Sequence, residues 1–158
     1  MVNIMDTKRI TKEGVYSELL SLKENGEEKN YYAVVDARNG GKFEVRAVLD
    51  HLGENTKAKC EIRAVAAGGA VVNLYGMVHI ARGARGTDSF LKLKVLLLDN
   101  QSMAIAEPEL SIENNDVKAS HSASVGMVDE ESVLYLMSRG LTKTEAENLL
   151  VEGFLRGD

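Results

Sequence analysis

From Tyr31 to about Val125 the chain alternates apolar and polar residues, a period of two that an extended strand converts into one buried and one solvated face. The clearest run is Ala58-Lys59-Cys60-Glu61-Ile62-Arg63-Ala64. Ala58, Cys60, Ile62 and Ala64 are expected to face a core, and Lys59, Glu61 and Arg63 to face water. Phe90 to Leu98 repeats the scheme with Leu91, Leu93, Val95 and Leu97 inward, but Phe90, Leu96 and Leu98 break it, as in a strand covered on both sides. Gly68-Gly69, Arg82-Gly83-Ala84-Arg85-Gly86 and Asp99-Asn100 punctuate these runs as turns. The only proline, Pro108, is expected in a tetrapeptide linking two short strands. The intervals fit an antiparallel sandwich and the turns of a β-helix equally well, and no strict repeat chooses between them.

The flanks read as helical. Thr11 to Asn25 places Val15, Leu19 and Leu22 at helical spacing, with Thr11 as N-cap and Gly26 as terminator. At the other end, Asp129 is placed to cap a helix running to about Ser138, which Gly140 ends. Thr142-Lys143-Thr144-Glu145 is a capping box for a second helix, in which Ala146, Leu149, Leu150 and Phe154 share a face. The two form an αα-hairpin whose apolar stripe must cover the end of the β core or a partner. The expected organisation is a helical segment over 1–30, a β core over 31–126 and a helical region over 127–158.

A length of 158 residues suits one domain that needs no disulfide or metal to hold it. The net charge of −5 argues against nucleic acid or an anionic membrane as partner. A single cysteine, no secretory leader at the N-terminus and no long apolar stretch lead us to expect a soluble, cytoplasmic protein.

No enzyme class declares itself. The three histidines are dispersed, no Cys/His/Asp grouping has zinc-site or triad spacing, and the glycine-rich Arg82–Gly86 stretch lacks the lysine and helix of a phosphate-binding loop, so no nucleotide is expected on this chain. Cys60 falls on the apolar phase of its strand, where cysteine is an inert small hydrophobe rather than a metal ligand. Arg82 and Arg85 read as a solvated connection. His121 continues the phase of Val117 and Ala119 and is expected half-buried at a strand end.

Three ordered segments carry a resemblance: Pro108-Glu109-Leu110-Ser111-Ile112, then Asp116 to Gly126 (DVKASHSASVG), then Tyr135-Leu136-Met137-Ser138-Arg139-Gly140-Leu141. Together they resemble the C-terminal signature of the SufB/SufD family of iron-sulfur cluster assembly proteins, and Ala146, Leu149, Leu150, Gly153 and Phe154 continue it. The resemblance implies a mainly β fold: a short right-handed parallel β-helix flanked by the N-terminal helix and the αα-hairpin. It implies a scaffold or partner subunit, not an enzyme, that binds a SufC-type ABC ATPase through the hairpin, with Tyr135, Arg139, Leu149, Leu150 and Phe154 as contacts. It also implies pairing through the β-helix end with a SufB/SufD-like chain or a second copy. His121 matches the family histidine near that interface, where a transient iron-sulfur cluster forms, although Ala119 stands where SufD members typically carry cysteine. Because family members are much longer, the chain has room for few turns, and an end is expected to be capped by the Thr11–Asn25 helix or by a dimer partner. A degenerate relative that keeps the surfaces but binds no cluster is the rival reading.

Overall fold

The computed structural model describes residues 7–157. Nine strands come first: β1 (Thr7–Ile10), β2 (Gly14–Leu22), β3 (Glu28–Ala37), β4 (Lys42–His51), β5 (Lys57–Ala66), β6 (Val71–Ile80), β7 (Asp88–Leu97), β8 (Met103–Ile112) and β9 (Lys118–Met127). Two helices follow, α1 (Glu130–Ser138) and α2 (Lys143–Arg156). Odd strands form one sheet in the order β1-β3-β5-β7-β9, even strands a second in the order β2-β4-β6-β8, and each ladder is parallel. Each strand therefore pairs with the next but one. The chain winds from sheet to sheet as a parallel β-helix of about four turns, which excludes the antiparallel sandwich.

Glu28 lies beside Lys57, Lys57 beside Asp88 and Asp88 beside Lys118, so each turn takes about 30 residues although the side chains do not repeat. What repeats is phase. Residues in register on neighbouring parallel strands point to the same face, and the inward columns fill the interior: Val35 with Ala64 and Val95, Ile62 with Leu93, Leu49 with Val78, all nearly inaccessible to water. Turns stack as well. The left-handed position after one sheet recurs as Gly26 (φ 75°), Asn55 (φ 55°) and Gly86 (φ 69°), and a Cβ on Gly86 would meet Asn55 Oδ1 at 2.3 Å.

The expected N-terminal helix is instead β2, and the 1–30 helical segment contains β1, β2 and the start of β3, with residues 1–6 outside the described region. Val15 and Leu19, whose spacing suggested a helix, are 71% and 64% exposed, while Leu22, the third residue of that pattern, is buried together with Leu20, two residues before it as in a strand. Nine register pairs with β4 decide the matter, because tertiary pairing outweighs a weak local periodicity. Pro108 is likewise not in a linker: it lies within β8, opposite Gly76. Since β8 is an edge strand, the missing N–H costs no ladder bond on the outer side.

The C-terminal hairpin forms as read. The Asp129 carboxylate accepts from the Glu131 and Ser132 N–H groups, Gly140 (φ 100°) ends the first helix, and Thr142 and Glu145 satisfy each other in a capping box. α2 folds back over the outer face of β5, burying Ala146 and Val151. This corrects the expectation that Glu61 and Arg63 face water: they are only 8% and 5% exposed. Arg63 Nε donates to Glu61 Oε1 at 2.5 Å, its Nη1 donates to the Phe154 carbonyl at 2.8 Å, and its guanidinium lies 5.6 Å from the Phe154 ring centre.

Candidate functional site

A solenoid is closed along its length and open at its ends. At the C-terminal end the last turn consists of β8 and β9, each with one unpaired edge. Register with buried β7 and β6 residues defines the inward phase there: Ala119, His121, Ala123, Val125 and Met127 on β9, and Ala104, Ala106, Pro108, Leu110 and Ile112 on β8. In the middle turns this phase is core. On the last turn nothing among the described residues lies beyond it, so Val125, Met127 and Ile112 remain 43%, 48% and 43% exposed.

His121 lies in this surface. The expectation of a half-buried histidine at a strand end is corrected in both respects: it is exposed and lies within β9. Its phase was read correctly, but no further turn covers it. Cys60, Leu91 and His121 occupy one inward column on β5, β7 and β9. Two strand spacings, about 10 Å, therefore separate Cys60 from His121, too far for bonds of about 2 Å each to one ion. Cys60 is wholly buried, and burial pushes its thiol up to about 12, so it is held as the unreactive protonated form. Among the described residues no group of three or more His, Cys, Asp or Glu side chains is arranged to hold a metal ion.

The other two histidines sit on opposite sides of β4 and β6. His51 is buried, with Nδ1 2.8 Å from Thr56 Oγ1 and Nε2 3.0 Å from Ser89 Oγ, and burial pushes its pKa down to about 4. His79 lies on the outer face, 2.7 Å from Asp50 and 3.6 Å from Glu113, and the hydrogen bond to Asp50 raises its pKa. This carboxylate-histidine-carboxylate row was invisible to sequence spacing, because the three residues belong to successive turns.

The second candidate surface is the hairpin. Leu134, Tyr135, Met137 and Leu149 are 63%, 58%, 39% and 52% exposed. Tyr135 and Leu150 line a shallow groove with Leu136, while Leu134 and Met137 line another with Leu98, just after β7, and Met127 at the end of β9. Arg139 stacks on Tyr135 at 5.2 Å and donates to its hydroxyl at 3.2 Å. Of the five hairpin residues read from the sequence, Tyr135, Arg139 and Leu149 are exposed, Leu150 is half-buried, and Phe154 is turned toward Arg63. Leu149 thus does not share the buried face of Ala146, and Leu134 and Met137 join the exposed set. No helix among the described residues is long and apolar enough to cross a membrane.

Comparison with known proteins places the chain in a family. Residues 11–154 match the family described as "SUF system FeS cluster assembly, SufBD core domain". The chain is similar to the iron-sulfur cluster assembly SufBD family protein of Mycobacterium tuberculosis, 38% identical over 109 residues that make up 69% of this chain and 13% of the relative. It is similar to the iron-sulfur cluster assembly protein SufB of Bacillus subtilis, 32% identical over 134 residues, 85% of this chain and 29% of the relative. A SufBD family protein of Staphylococcus epidermidis is 32% identical over 123 residues, 78% of this chain and 26% of its own length. The chain thus spans less than a third of the length of these relatives. With the parallel solenoid, the C-terminal hairpin and a match over most of its residues, the chain belongs to the SufBD family of iron-sulfur cluster assembly proteins.

Proposed function

We propose that the chain is a scaffold or partner subunit of iron-sulfur cluster assembly, catalysing no covalent reaction alone and working in the cytoplasm. The observation that carries this is the exposed apolar surface of the last turn and of the hairpin, with Ile112, Val125 and Met127 on the first and Leu134, Tyr135, Met137 and Leu149 on the second. Leu134, Tyr135, Met137 and Leu149 on a capped, well-anchored hairpin form a docking surface for a folded protein, and family membership favours a SufC-type ABC ATPase as that protein. The open turn suits a like chain. A two-fold axis beside β9 would pair the two edge strands antiparallel and cover both sets of Val125 and Met127.

The cluster, as cargo, would form at that junction, with His121 as the imidazole of the inward phase able to donate to iron. A single imidazole does not hold a cluster, so further ligands would come from the partner chain. The same solitary position favours the rival reading, a relative that keeps both surfaces and holds no cluster, because Ala119 beside it has no donor atom.

Light scattering on the chain alone, and mixed with the SufC-type ATPase of the same organism, tests the docking. A complex lost in Tyr135→Asp/Leu149→Asp, with unchanged circular dichroism, supports the reading; absence of a complex for the native chain refutes it. Anaerobic reconstitution of the complex with iron and sulfide then separates the two alternatives. Visible absorption that disappears in His121→Ala supports the scaffold, and a colourless native complex supports the relative without a cluster.

A further inference from the structure

On the outer side of the even sheet, residues in register form rows that cross the strands. One row is Ser17, Arg46, Tyr75 and Glu107; the next, two residues on, is Leu19, Val48, Met77 and Glu109. Rows two residues apart stand about 7 Å from one another. Between these two lies a groove of about 350 Å³, with the backbone of Ala47 and Gly76 as its floor. The face looks away from the interior, so a strand added at either edge of the sheet would leave the groove open. The outer face of the odd sheet, by contrast, carries α2 on β5.

The two walls differ in chemistry. On one, the Arg46 guanidinium lies 4.4 Å from the centre of the Tyr75 ring, and its Nε donates to Glu44 Oε1 at 2.7 Å. On the other, Val48 and Met77 are half-buried and lead to the exposed Leu19. Both walls end on β8 at an exposed carboxylate, Glu107 on the first and Glu109 on the second. Elsewhere on this face Glu44 is matched by Arg46, and Asp50 by His79 at 2.7 Å. Glu107 and Glu109 have no such partner among the described residues. We propose that this groove takes an arginine side chain from a segment of a partner protein lying across β4, β6 and β8.

Charge and shape select that occupant. Two unmatched carboxylates at one end of the groove call for a cation, while Arg46, already paired with Glu44, adds little repulsion. Glu107 and Glu109 project from one face of β8 two residues apart, a spacing that the planar fork of a guanidinium bridges and the point charge of an ammonium does not. The aliphatic stem of the arginine would lie against Met77 and Val48, and an apolar neighbour in the segment would rest on Leu19. Arginine beside an aromatic ring and a strip of apolar surface is also the composition that anchors protein interfaces.

The groove is separate from the hairpin and from the inward phase of the last turn, so the readings of those two surfaces stand or fall without it. The test is an NMR titration of the isotopically labelled chain with the peptide acetyl-Leu-Arg-Leu-amide, beside the same peptide with lysine or with citrulline, which keeps the shape of arginine and loses its charge. The expected result is saturable shifts of the Ala47, Gly76, Met77 and Glu109 amides with the arginine peptide. Its affinity should fall by about tenfold or more with citrulline in place of arginine, and equally in Glu107→Gln/Glu109→Gln. Met77→Arg, which puts a guanidinium of the chain's own into the groove, should abolish the shifts and serves if the glutamine pair does not fold. No saturable shift with the arginine peptide, equal binding of the citrulline or lysine peptide, or binding undiminished in a folded variant would overturn the proposal. The same amides moving on dilution of the chain alone would make a second copy the occupant and overturn it as well.

Discussion

Gly76 marks a tight place in the interior of the solenoid. It occupies an inward position of β6, and a Cβ built there would lie 2.6 Å and 2.8 Å from the two methyl carbons of Leu91 and 3.2 Å from its Cγ. Ordinary carbon contacts are about 3.5–4.0 Å, so Leu91 would have to retreat by about 1 Å. It has nowhere to go, being wholly buried between Cys60 and His121 in its column. Overpacking of this kind costs about 1–3 kcal/mol, against which the stiffer unfolded chain returns about 0.4–1 kcal/mol. Gly76→Ala is therefore expected to destabilise the fold by about 1–2 kcal/mol, measured as the shift in urea midpoint at unchanged slope. Leu91→Val alone removes a buried methylene and costs about 1 kcal/mol. The double variant restores the shared volume, so its loss should fall below the sum of the two singles by about 1 kcal/mol or more. Additive losses, or a neutral Gly76→Ala, would refute the claim that Leu91 fills the space of the missing side chain.

The remaining expectations concern charge and position. His51 is held neutral with a pKa near 4, against 6.5 when exposed. Its contribution to stability is complete above about pH 6.5 and is lost as pH falls toward 4, by up to about 3 kcal/mol. His79 has the opposite sign: its raised pKa gives stability below 6.5 that disappears as pH rises through the folded value. Denaturation midpoints against pH should therefore show a steeper acid loss in His79→Gln and a shallower one in His51→Gln; a His51→Gln profile parallel to native would count against the assignment. Arg63→Ala leaves the buried Glu61 carboxylate with only Lys59 and Lys92, each at 3.8 Å, and removes the tie to Phe154. A loss of about 3–5 kcal/mol and faster tryptic cutting in α2 are expected, and unchanged digestion would show that the helix is held by other contacts. Val95→Ala, at 2% exposure, should cost about 2 kcal/mol, whereas Val125→Ala, its register partner on β9, should leave the urea midpoint nearly unchanged and weaken self-association.

What the sequence discloses depends on how far each residue's neighbours lie along the chain. The strand phases of Ala58–Ala64 and Leu91–Leu97, the glycine turns and the caps at Asp129, Gly140 and Thr142–Glu145 are local, and all appear in the structure as read. The failures are long-range. Val15, Leu19 and Leu22 fit a helix as well as any strand until β4 is brought alongside, and Glu18, inward but charged, interrupts the strand pattern that would have competed. Arg63 looks solvated because the helix that covers it comes 91 residues later. Pro108 looks like a linker because nothing local shows that its strand lies at an edge. The candidate site was half legible: the phase of His121 could be counted from Val117 and Ala119, but its exposure depends on there being no further turn beside β9.

That dependence explains how one pattern yields both a core and a surface. In a parallel solenoid the phase of a residue decides whether it points inward, and the turn it occupies decides whether anything meets it there. Cys60, Leu91 and His121 share a phase, yet the first two are sealed and the third is open. A chain built this way needs no pocket to present apolar surface: ending the winding is enough, and the chemistry of the last inward residues then selects what may approach. Ala119, Ala123 and Val125 make the last described turn costly to leave bare. In the proposed reading, the docking surface beside β9 is thus the ordinary interior of a β-helix, exposed on its last described turn.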